Sequence, residues 1–133
     1  MDETADLTDP QLWLSLSDHK LRMAQKHLAD GEYRDAVSDA YYAMFHVARA
    51  ALASAKVESR RHTGVATHFA EVFVKTGKVN KELSRTFMRG MQLRDDADYA
   101  PRTTVNKEKA TLAVAEAEAF VATLRVFVED GEK

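Results

Sequence analysis

The chain has 133 residues, 45% of them hydrophobic, which is enough for one domain with a real core. Its 19 basic and 21 acidic residues give a formal net charge of −2, which argues against a broad basic surface for nucleic acid but leaves room for a small local site. It has no cysteine, excluding a disulfide frame and a thiolate metal site, and no apolar run near the ~20 residues that span a bilayer.

Five Gly and two Pro are few breakers for this length, which favours long helices. The first predicted helix opens at Asp9-Pro10, a capping residue before a proline suited to the first turn, and stops at Asp30-Gly31. Leu14, Leu21, Ala24 and Leu28 line one side of it. A second helix runs from about Tyr33 to Lys56, with Val37, Ala40, Tyr41, Met44, Val47, Ala48, Ala51 and Leu52 recurring at steps of three and four. The third starts near His62-Thr63-Gly64, carries Val65, Phe69, Val72 and Phe73, and ends at Thr76-Gly77. Asn80 caps the fourth, whose stripe is Leu83, Phe87, Gly90 and Met91; a mid-helix glycine points to close backbone packing. Ala100-Pro101 ends it. The fifth opens after Thr103-Thr104 and runs to Asp130-Gly131 along Ala113, Ala117, Phe120, Leu124 and Phe127. Short connections predict antiparallel neighbours in an all-α bundle spanning 9–131, with frayed ends at 1–8 and 132–133. The acidic start is unlike a signal peptide, so the cytoplasm is the expected location, with no membrane association.

The polar residues break this pattern in two places. On the fourth helix the stripe continues into Arg94 and Asp98, so a guanidinium points toward the interior or a partner. Asp95, Asp96 and Asp98 crowd a helix C-terminus, where the macrodipole disfavours negative charge. Arg94 before Asp98 is also the weaker order for an i,i+4 ion pair. The plainer alternative is an Arg–Asp pair that locks the helix end. On the second helix, Asp39, Tyr42, Ala43, His46, Arg49 and Ala50 form a second face that is too aromatic and too small for solvent. That helix is therefore covered on two sides, centrally in the bundle or at a dimer interface, unless Asp39, His46 and Arg49 are simply a satisfied polar seam. His62 starts the third helix, where the positive helix end favours its neutral form. His19, His27 and His68 read as ordinary surface or boundary residues, and the Lys81, Arg85, Arg89 run as a solvated face. There is no phosphate-binding glycine loop, zinc-protease motif or nucleophile elbow, and no cofactor or metal is expected.

Taken together, Tyr33-Arg34-Asp35-Ala36, the run from Ala40 to Leu52, His62-Thr63-Gly64-Val65, Phe73-Val74-Lys75-Thr76-Gly77 and Arg94-Asp95-Asp96-Ala97-Asp98-Tyr99 give a specific likeness. The chain resembles the HEPN superfamily, specifically its small stand-alone prokaryotic branch, from about Leu12 to Val128. The resemblance implies an up-and-down helical bundle, commonly a homodimer. It also implies a minimal nucleotidyltransferase as partner, often in a toxin–antitoxin arrangement. Many members are metal-independent ribonucleases whose motif is an Arg followed four to six residues later by His. Arg94 matches the Arg, but Asp98 and Tyr99 occupy the region of the His. The expected site combines Arg94, Asp98 and Tyr99 with His46, Tyr42, Arg49 and His62, with Arg94 on a phosphate and Tyr99 or Tyr42 on a base. Its role is binding of nucleotide, RNA or partner. The alternatives are a ribonuclease with a rearranged site, using Arg94, Asp98 and His46 or His62, and a purely structural bundle. Tyr99 is also a candidate target for nucleotidyl transfer by the partner.

Overall fold

The computed structural model describes residues 8–59, 61–100 and 105–131, without the side chains of His62, Thr63, Glu129 and Asp130. Helix α1 (Pro10–Ala29) is capped by the Asp9 carboxylate, which accepts from the Gln11 N–H at 2.9 Å. Gly31, with φ +77°, adopts the left-handed conformation that a side chain resists, and α2 (Tyr33–Ser54) starts directly after it. Helix α3 (His62–Phe69) passes into a π-helical turn (Ala70–Val74), marked by the Lys75 N–H reaching back five residues to the Ala70 carbonyl at 2.8 Å. The expected third helix is therefore two segments. Helix α4 (Lys81–Tyr99) is capped by Asn80, and α5 (Lys107–Gly131) completes the order.

The cross-helix contacts fix the directions. Ser17 of α1 meets Ala43 of α2, while His27 further along α1 meets Asp39. Arg94 of α4 reaches Tyr42, and Gly90 lies against Met44. Gln25 and Asp18 of α1 pair with Glu118 and Arg125 of α5, and Arg89 of α4 pairs with Glu116. Numbers rise on one helix as they fall on the next for α1–α2, α2–α4 and α1–α5, so α1, α2, α4 and α5 form an up-and-down bundle.

Helix α2 is the axis of this bundle. Thirteen of its 22 residues are buried, which only a central helix can sustain. One face packs on α4 and α5 through Val37, Tyr41, Met44 and Leu52. The other, with Ala43 and Ala50 fully buried, packs on α1. The second face of α2 is thus covered within the same chain and does not point to a dimer interface. The core adds Tyr41, Phe87, Phe69 and Phe120, whose rings lie 5.5–6.2 Å apart in successive contacts. Such pairs contribute about 0.5–1.5 kcal/mol each beyond simple burial. Gly90 is the close approach expected from the sequence, since a Cβ there would stand 2.3 Å from the Met44 methyl. Among the described residues, no helix is long and apolar enough to cross a membrane.

Candidate functional site

Arg94 sits near the end of α4, where the turn of the helix carries it over α2. Its side chain keeps only 17% of its surface exposed. The guanidinium lies 5.3 Å above the Tyr41 ring centre and 5.8 Å from that of Tyr42, within cation–π range. Nη1 donates to the Tyr42 hydroxyl at 3.4 Å. Nη2 donates to Asp95 at 2.9 Å, and Nη1 stands 3.5 Å from Asp98. The immediate neighbour Asp95, which the i,i+4 rule passes over, is therefore the tighter partner. The Arg94 Nε is buried and has no hydrogen-bond partner among the described residues.

The acidic helix end is compensated from another element. Arg34, on the first turn of α2, donates Nε to the Ala97 carbonyl at 2.6 Å and Nη2 to the Ala97 and Ala100 carbonyls, the latter at 3.1 Å. These are C-terminal carbonyls of α4, and Arg34 supplies the positive charge that the macrodipole asks for. Sequence reasoning missed this role, because the two residues lie more than sixty positions apart.

The second polar face of α2 becomes a seam against α1. His46 stacks on Trp13 at 5.7 Å and lies 6.1 Å from the Tyr42 ring. The Arg49 guanidinium lies 3.7 Å from the Trp13 ring centre. Asp39 is buried and accepts from His27 Nδ1 at 2.6 Å, with Lys20 Nζ at 3.5 Å from its other oxygen. Lys20 lies 5.8 Å from the Tyr42 ring centre, so Tyr42 is where the Arg94 cluster and this seam meet. Burial raises the Tyr41 phenol well above the usual tyrosine range, and the nearby Arg94 charge only partly opposes this.

Of the sequence-derived set, Arg94, Asp98 and Tyr42 are in direct contact, His46 joins through Tyr42, and Arg49 is held at the far end by Trp13. Tyr99 is not among them: it is 83% exposed at the end of α4. His62 opens α3, but its side chain lies outside the described residues. Trp13 and Lys20 also belong to the cluster, with no signal in the sequence that marks them, and Asp95, noted only as part of the acidic run at the end of α4, is the tightest partner of Arg94. His27 is no ordinary boundary residue, since it is bonded to a buried carboxylate. The Lys81, Arg85, Arg89 run is a solvated face, with Arg85 paired to Glu82 and Arg89 to Glu116. The hydrogen bond to Glu116 raises the already high Arg89 pKa.

The HEPN domain model matches residues 10–127, nearly the whole bundle. The chain belongs to the HEPN domain family. It is 33% identical over 115 residues to a "UPF0332 protein" of Thermotoga maritima, covering 86% of this chain and 83% of that one. It is 32% identical over 111 residues to "Putative toxin MJ0605" of Methanocaldococcus jannaschii, covering 84% of this chain and 82% of that one. In this HEPN domain the four-to-six-residue window after Arg94 holds Asp98, Tyr99 and Ala100 and no histidine. Among the described residues, no three His, Asp or Glu side chains are grouped to hold a metal ion.

Proposed function

We propose that this HEPN domain is the nucleotide- or RNA-binding component of a toxin–antitoxin-like pair, with a minimal nucleotidyltransferase as its partner and a homodimer as its working form. The observation that carries the reading is Arg94: a mostly buried guanidinium within cation–π distance of the Tyr41 and Tyr42 rings and donating to the Tyr42 hydroxyl, with Lys20 near the same Tyr42 ring. Arginine on an aromatic platform is suited to a phosphate next to an unstacked base. Asp98, at 3.5 Å and more than a third exposed, is the partner that an incoming phosphate displaces, while Asp95 keeps the guanidinium oriented. Tyr99 has the exposure that modification by the partner requires.

The test is binding of a labelled single-stranded RNA oligomer and of ATP to the purified chain, with and without the product of the adjacent gene. Arg94→Ala is expected to weaken binding about tenfold, the loss of one charge-assisted contact. If Arg94→Ala leaves RNA, nucleotide and partner binding all unchanged, the site is elsewhere. Intact mass after co-expression with the transferase decides whether Tyr99 takes a nucleotidyl group.

The second reading is a ribonuclease with a rearranged site. It is favoured by the relative whose name reads "Putative toxin MJ0605" and by the tyrosine that joins Arg94 to histidine-bearing helices.

A further inference from the structure

We propose that the slot between α4 and α5 is a binding site for a neutral, flat molecule of one or two aromatic rings, separate from the Arg94 cluster. Helices α4 and α5 both pack on α2, yet they touch each other along little of their length. The gap leaves a cavity of about 280 Å³. Its α4 wall includes Arg89, Leu93 and Asp96, at steps of four and three. That is a different face of the helix from the one carrying Arg94 and Asp98.

The lining is mostly apolar. Val37, Ala40, Tyr41 and Met44 of α2 form the floor, each with no more than 2% of its surface exposed. Gly90 on one wall and Ala113 on the other add little bulk, which leaves room for a ring. The Met44 methyl lies next to Gly90, and an unbranched thioether adapts its shape to a neighbouring ring. Leu112 of α5 also lines the slot and is 60% exposed, so a bound ring removes costly apolar surface from water.

Charge and size narrow the ligand. Arg89 and Glu116 bridge the two walls at one end, 2.6 Å apart. Two turns away on the same helices, Asp96 and Lys109 also line the slot. Each end thus brings one acid and one base, so the site holds no unbalanced charge for an ion or a phosphate. Thr86 and the exposed Gln92 suit a ligand with one polar edge. An apolar cavity of roughly 150 Å³ holds benzene, so this one takes about ten non-hydrogen atoms, the size of two fused rings.

The experiment titrates indole into the full chain labelled with ¹³C-methyl methionine, with calorimetry in parallel. The expected result is saturable one-site binding with a Kd below about 1 mM. The Met44 methyl resonance, assigned through Met44→Leu, should move, and that of Met88, half-exposed and outside the lining, should stay. Indole-3-acetate carries the same rings with a carboxylate and should bind at least about tenfold more weakly, since no unbalanced cation awaits it. Ala113→Leu fills the slot and should weaken indole at least about tenfold, with circular dichroism confirming the fold. Leu93→Phe fills it from the opposite wall and takes the place of Ala113→Leu where that variant does not fold. Absence of saturable binding overturns the proposal. So does a shift at Met88 as large as that at Met44, or undiminished binding in a folded, filled variant. Indole-3-acetate binding as tightly as indole overturns the neutral ligand. None of these outcomes bears on Arg94, so the reading of that site stands or falls by its own test.

Discussion

The two faces of α2 show how one helix divides labour. The face toward α4 and α5 is built from Val37, Tyr41, Met44 and Leu52, all of them buried and apolar or aromatic. The face toward α1 is also covered, yet it carries Asp39, Tyr42, His46 and Arg49. Small residues make the difference possible. Ala43 and Ala50 let α1 approach, and the polar side chains then run out along the seam to its edge. The first face supplies stability, while the second places charged groups at fixed positions beside α4.

Substitutions on the two faces should therefore separate into stability effects and binding effects. The largest effect is expected from Phe87→Ala, which removes a buried ring between Tyr41, Phe69 and Phe120. It should cost about 3–5 kcal/mol in urea unfolding, whatever its effect on binding. A loss under 1 kcal/mol would show that this aromatic core is not the stabilising face.

Next is Arg94→Ala, expected to weaken RNA binding about tenfold while changing unfolding free energy by little more than 1 kcal/mol. Equal losses in both measurements would erase the division. Third is pH. The Tyr41 phenol has its pKa raised by burial, so its contribution is fully present below the ordinary tyrosine value, about 10. Stability is then lost as the pH climbs from there toward the raised value, because the unfolded chain ionises first. Tyr41→Phe should flatten that alkaline decline in a pH series of thermal melts, and an unchanged slope would place the decline elsewhere.

Smaller still is Gly90→Ala. The added Cβ would meet the Met44 methyl, the mobile end of a flexible side chain. Helix propensity returns about 1 kcal/mol, so the net change should lie within about 1 kcal/mol, whereas Gly90→Leu should cost several times more. The smallest effect is Arg85→Ala, whose pair with Glu82 is solvent-exposed on both sides. It should change stability by less than about 0.5 kcal/mol.

Much of the bundle was legible in the chain itself. Asp9 before Pro10, Gly31 and Asn80 punctuate helices because capping and left-handed turns depend on the residue at one position. The stripe periodicities also follow from local geometry, so the all-α class and the buried faces could be read in advance. The irregularity at Arg94 was visible for the same reason: a charge continued an apolar stripe.

What the stripe could not tell is which helix meets it. Arg34 capping the carbonyls of α4, Lys20 and His27 converging on Asp39, and Trp13 filling the space beside His46 all join residues on different helices. Such contacts depend on how two helix surfaces interlock, and no spacing within one helix encodes that. The sequence alone determined the helices, their caps and the oddity of Arg94-Asp95-Asp96-Ala97-Asp98-Tyr99. Only the tertiary structure decided that Tyr99 faces solvent, that α1 rather than a second copy covers the polar face of α2, and that His27 stands against a carboxylate. Local propensity acts over one or two helical turns, whereas a site is assembled by packing across the whole bundle.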